Sequence, residues 1–200
     1  MKFTKLVATK LGTALASGLF GFYLTAQEPA KSPASPFADV AKEASAAALA
    51  AVPGAALLGN TRLVVWGFDI YDAWLWAGKG FTAANYKTQP LALELQYLRD
   101  FKALEIAKRS IAEMRRSATI SDEQAEQWVV AMTKAWPDIK KGDSLTGIYK
   151  PGVGVQFLFN GKPRGEVADA EFAALFMGIW LSPKSSEPKM RQALLGKAAS

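Results

Sequence analysis

The sequence predicts an α+β fold, and three observations carry that prediction. Two stretches, 61–78 and 91–98, alternate in hydrophobicity with the two-residue period of strands. Two stretches that follow, 101–116 and 122–136, switch to helical spacing. Short strand-like runs joined by turn residues then precede two more helices. The elements before and after the middle form one continuous domain, because nothing between 52 and 200 reads as a linker.

Taken in order, residues 1–26 read as a secretory signal. Lys2, Lys5 and Lys10 precede an uncharged stretch from Leu11 to Leu24, and a small residue, Ala26, offers a cleavage point. At 14 residues that stretch is shorter than the roughly 20 a spanning helix needs. The expected location is therefore periplasmic or secreted, with an uncleaved N-terminal anchor as the alternative. Residues 27–51 read as a tether rich in proline and alanine, QEPAKSPASP, followed by a loosely held alanine-rich helix that ends before Pro53-Gly54. The folded domain is placed at 52–200.

Within it, TRLVVWGFDIYDAWLWAG (61–78) reads as two strands broken at Gly67. Alternation puts Phe68, Ile70, Asp72, Trp74 and Trp76 on one face, which suggests an aromatic wall for a pocket or core, and Asp69, Tyr71, Ala73 and Leu75 on the other. The strand at 91–98 sets Leu91, Leu93, Leu95 and Tyr97 on one face and Ala92, Glu94 and Gln96 on the other. The helix at 101–116 carries Arg109, Glu113 and Arg116 at ion-pair spacing. Ser121 with Gln124 opens the next helix, which stops at Pro137. Strands at 144–149, 153–159 and 163–167 follow, joined through Lys150-Pro151-Gly152 and the hairpin dipeptide Asn160-Gly161. Asp169 caps a helix holding Phe172, Phe176 and Trp180, and Glu187-Pro188 starts a last one that ends at Gly196.

Composition excludes several chemistries. With no histidine and no cysteine, catalytic triads, thiol nucleophiles, disulfides, and imidazole or thiolate metal sites are ruled out. No metal and no cofactor is expected. The formal charge is +6; without the three leader lysines, 21 basic residues against 18 acidic ones leave +3, too little to argue for nucleic acid.

Five segments in a fixed order resemble the chalcone isomerase-like family, in particular its exported bacterial branch: GNTRLVVWGFDIYDAWLW, PLALELQYLRDF with IAKRSIAEMRR, WPDIKKGDSLTG, KPGVGVQFLFNG, and EFAALFMGIWLSPKSSEP with MRQALLG. The resemblance runs from about Val52 to Gly196 and implies a large antiparallel sheet, helices packed on one face, and a ligand cleft between them. Enzymes of the family use an arginine and a threonine on the organising strands, a tyrosine and an asparagine on the following helical region, and a late threonine. Laid on this chain those positions fall on Arg62, Tyr71, Lys102, Arg109 and Leu175. Only the arginine keeps its type, so chalcone isomerase activity is not expected and no catalytic residue is assigned.

What the residues retain is the means to hold an anion: Arg62 offers a planar fork suited to a carboxylate and Tyr71 a second donor. Tyr97 and Arg109 complete the candidate ligand-binding set. Non-catalytic members of the family bind fatty acids with an arginine and a tyrosine, so the resemblance implies a small apolar carboxylate as ligand. For Arg62 the competing role is an ion pair with Asp69 or Asp72; for Arg109, the ladder with Glu113. An isomerase or intramolecular lyase acting on an enone-like substrate and a ligand-free structural or assembly factor are the alternative functions.

Overall fold

The structure, a computed structural model, describes residue 46 and residues 49–199. All of these belong to the second of two compact units, Ser35–Ser200. The expected leader, the tether and most of the alanine-rich helix lie outside the described residues; residues 49–51 are helical.

Six strands form one antiparallel sheet in simple sequence order, β1 (Ala56–Val65), β2 (Phe68–Ala77), β3 (Leu91–Tyr97), β4 (Ser144–Lys150), β5 (Gly154–Phe159) and β6 (Lys162–Val167). Between β3 and β4 come α1 (Ala103–Met114) and α2 (Asp122–Ala135); after β6 come α3 (Ala170–Leu181) and α4 (Pro188–Leu195), with a 3₁₀ turn at Gly196–Ala199. The α+β prediction holds. Helix α1 starts two residues later than its spacing suggests because Phe101 pairs with Ile139 through two backbone hydrogen bonds, 3.0 and 2.9 Å, and is thereby kept extended. Ser121 caps α2 by accepting from the Gln124 amide at 3.1 Å. Asp169 caps α3 through the Phe172 amide, 2.9 Å, and its second oxygen accepts from Trp128 Nε1 at 2.9 Å, tying α2 to α3.

Side chains divide between two faces. Ala73, Leu75, Leu93, Leu95 and Phe157 face the helices in the main core, where Phe157, Phe172, Phe176, Trp136 and Trp180 form a chain of ring contacts. A smaller cluster of Trp74, Trp76, Ala92, Ile148 and Leu158, joined by Val52 and Ala55, occupies the opposite face. Trp74 and Trp76, expected to wall a pocket or a core, therefore pack in a core of their own on the side away from α1 to α4. Alternation separates two faces, but only the helices decide which of them becomes the main core. Among the described residues, no helix is long and apolar enough to cross a membrane.

Candidate functional site

A cavity of about 580 Å³ opens between the β1–β2–β3 end of the sheet and helices α1, α3 and α4. Its walls are mostly apolar: Leu63, Ile70, Leu95, Phe101, Ile106, Phe176, Ile179 and Met190. The volume is in the range that holds a drug-sized or lipid-sized molecule. Register explains the strand contribution. Leu63 pairs with Tyr71 and Tyr71 with Tyr97, so these three share the helix-facing side at one end of the sheet.

Tyr71, Tyr97 and Arg109 are brought together here; Arg62 is not among the lining residues. On β1, Leu63 and Val65 line the cavity, and alternation turns Arg62 to the opposite face. There its guanidinium is held by carboxylates: Nε donates to Asp72 Oδ1 at 2.7 Å, Nη2 to Asp72 Oδ2 at 2.9 Å, and Nη1 to Asp69 Oδ2 at 2.9 Å. The bidentate bond to Asp72 holds Arg62 firmly in its charged form. Asp72 is only 8% exposed, so Arg62 supplies the counter-charge that lets this carboxylate sit within the sheet.

Tyr71 and Tyr97 meet edge to face with ring centroids 5.8 Å apart. Burial pushes both hydroxyls well above the usual phenol range, with the bond from Trp180 working the other way at Tyr71. They are neutral donors at any ordinary pH. Trp180 Nε1 donates to Tyr71 Oη at 3.0 Å, which occupies a lone pair and leaves the hydroxyl proton to give. No hydrogen bond within the described residues takes that proton.

Arg109 stands on α1 at the rim, 72% exposed, and pairs with Glu113 one turn on; Arg116 completes the ladder at 3.8 Å. Glu113 is 11% exposed, and its Oε2 has no hydrogen-bond partner among the described residues. Glu105 and Glu187 also line the cavity. Its polar end thus combines the buried phenol of Tyr97, the half-buried phenol of Tyr71, one arginine and three carboxylates.

Sequence reasoning missed Ser185, Ser186, Glu187 and Met190, which reach the site from the connection between α3 and α4 and from the start of α4. No periodicity marks that connection. Trp136, Phe176 and Trp180 pack in the core and also line the cavity, a double role their helical spacing alone does not reveal.

The fold has counterparts among known proteins. The chain resembles a crystal structure of a fatty-acid binding protein from Arabidopsis thaliana, with a TM-score of 0.55 and 14% identity over 75% of this chain and 92% of that one. At that identity the likeness concerns the fold alone. A Haemophilus influenzae protein of uncharacterised function is 31% identical over 144 residues, which is 72% of this chain and 69% of the relative. The sequence profile described as chalcone isomerase-like matches residues 58–196, every strand except the first two residues of β1 and all four helices. The chain belongs to the chalcone isomerase-like family.

Proposed function

We propose that this protein binds a small apolar carboxylate, fatty-acid-like in character, with the chain of the ligand in the cavity and its acid group at the Tyr71–Tyr97–Arg109 end, and that it does not catalyse chalcone cyclisation. The observation that carries the reading is the Tyr71 hydroxyl, a half-buried donor whose proton has no acceptor among the described residues, set in a mostly apolar cavity. A carboxylate oxygen is the acceptor such a donor suits. Arg109 is the one cation among the described lining residues and replaces Arg62 as the anion partner in this reading. The Arabidopsis neighbour's fatty-acid binding is consistent with the same use of the fold.

Ligand exchange with the acid, the alcohol and the amine of one chain length tests it. Wild type is expected to prefer the acid. Arg109→Ala is expected to weaken acid binding by about tenfold or more, the worth of one charge-assisted hydrogen bond, while leaving the alcohol unaffected. Arg62→Ala is expected to retain the ligand but to lose about 1–3 kcal/mol of stability, because Asp72 is left buried without its partner. Equal affinity for acid and amine would sink the carboxylate reading, since Glu105, Glu113 and Glu187 would then be setting the preference.

Export is part of the same proposal: a lysine-rich start and an uncharged stretch from Leu11 to Leu24 lead to a small residue at Ala26, so mature protein is expected to begin near Gln27. The N-terminal mass of protein recovered from cells reads this directly, and an intact Met1 overturns it.

A further inference from the structure

The hairpin joining β1 to β2 is built against its local preference. Trp66 and Gly67 both have positive φ, 51° and 80°. Two consecutive positive angles mark the tight turn that matches strand twist, and asparagine followed by glycine is its usual sequence. The chain uses that usual form elsewhere: Asn160-Gly161, between β5 and β6, has φ of 48° and 73°. A tryptophan in the asparagine position is therefore a costly choice in this chain, since a bulky residue rarely enters the left-handed region.

The turn holds that side chain in water. Trp66 is 94% exposed, and Phe68 and Val64 beside it are 56% and 49% exposed. Trp66 also borders the cavity. Arg99 lies over the Phe68 ring, 4.7 Å from guanidinium to centroid. The charged groups around it already have partners: Asp69 shares Arg62 with Asp72, Asp100 pairs with Lys140, and Lys102 with Asp138. Glu105 accepts from the Lys102 amide at the start of α1. Arg99 alone of this group has no carboxylate partner among the described residues.

We propose that the Val64–Phe68 turn is a membrane-docking element that seats the cavity mouth on a lipid surface, with Trp66 and Phe68 entering the boundary between headgroups and acyl chains and Arg99 taking a lipid phosphate. Tryptophan favours that boundary, where an apolar ring and a polar N–H both find company. An arginine beside inserted aromatic rings complements an anionic headgroup. Continuity with the cavity gives the docking a use: an apolar molecule passes between bilayer and cavity without crossing water. The docking itself stands whether or not the cavity prefers carboxylates.

The test uses the full-length protein with phosphatidylglycerol and phosphatidylcholine vesicles, some carrying bromine on the acyl chains as a fluorescence quencher. Trp66→Asn installs the residue this turn prefers, so the fold is expected to be kept. Trp66→Asn is expected to lower vesicle affinity about tenfold and to abolish the part of the bromine quenching that Trp66 supplies. Val64→Ser with Phe68→Ser is expected to give a similar loss, and Arg99→Gln to lose affinity for phosphatidylglycerol while sparing phosphatidylcholine. Equal quenching in wild type and Trp66→Asn, or unchanged vesicle affinity in both the Trp66→Asn and the double variant, overturns the proposal. A protein partner covering the turn would give that result.

Discussion

Alanine at position 59 is expected to unseat the last helix. Gly59 lies where β1 passes under the C-terminal end of α4, and a Cβ added there would meet backbone: the Leu194 carbonyl oxygen at 2.6 Å, with the Ala193 carbonyl oxygen closer still. Backbone cannot swing aside as a side chain can, so strand or helix must move. Gly196 repeats the constraint from the other partner, since its own Cβ would meet the Leu58 carbonyl oxygen at 2.6 Å. The close approach seats Leu194 and Leu195, both fully buried, against the core, and places Met190 in the cavity wall. Gly59→Ala is expected to cost about 3 kcal/mol or more, a fall in melting temperature of roughly 6–12 °C. Gly78→Ala is the control: its Cβ would meet only Pro53 O, at the ordinary distance of 3.4 Å. Thermal unfolding of both variants reads the difference, and equal melting temperatures would show that α4 is free to shift. The consequence for the site is direct. Loss of α4 packing removes one wall, so Gly59→Ala should lose ligand as well as stability.

This glycine was visible in the sequence as part of GNTR, yet its reason was not. The order of elements was legible because each carries a local signal: the cap at Ser121, the turn at Asn160-Gly161, the two-residue period of 91–97. Faces were legible only as pairs of alternatives. Alternation in β2 separates Tyr71 and Leu75 from Trp74 and Trp76 correctly, but which set meets the helices is a tertiary decision. Of the two roles open to the aromatic set, pocket wall or core, Trp74 and Trp76 take the core, and the tyrosine set provides the pocket wall. Arg62 followed the same logic. Its position next to Leu63 fixes it on the opposite face once Leu63 turns inward, and the two carboxylates at Asp69 and Asp72 then lie within its reach. Tyr71, Tyr97 and Arg109 do converge, although the first two come from neighbouring strands and the third from α1. Contributions from Ser185 to Glu187 remained hidden, since a connection between helices has no period to read.

Glutamine at position 94 is expected to stabilise the protein in a pH-dependent way. Glu94 sits in the middle of the sheet on the face away from the cavity, 1% exposed, paired in register with Trp74 on β2 and Thr146 on β4. Neither carboxylate oxygen meets hydrogen-bond geometry with a partner among the described residues, the Ser144 hydroxyl lying near it but outside that geometry. Burial pushes this carboxyl up to about 7 from an ordinary 4.5, with the Ser144 hydroxyl opposing. The folded state thus keeps a proton that the unfolded chain gives up at lower pH. Between about 4.5 and 7 the native protein binds more protons than the unfolded one, so stability falls as pH rises through that window and stays reduced above it. A shift of that size corresponds to about 3 kcal/mol. Glu94→Gln cannot ionise, and its amide can donate towards the Thr146 hydroxyl and the Gln96 side-chain carbonyl, both without a hydrogen-bond partner among the described residues and on adjoining register positions. The variant should therefore match wild type near pH 4.5 and exceed it by about 3 kcal/mol at pH 8. Denaturant titration at the two pH values measures the gap. A gap of the same size at both would mean that Glu94 is already ionised at the acid end, held by a counter-charge rather than penalised by burial.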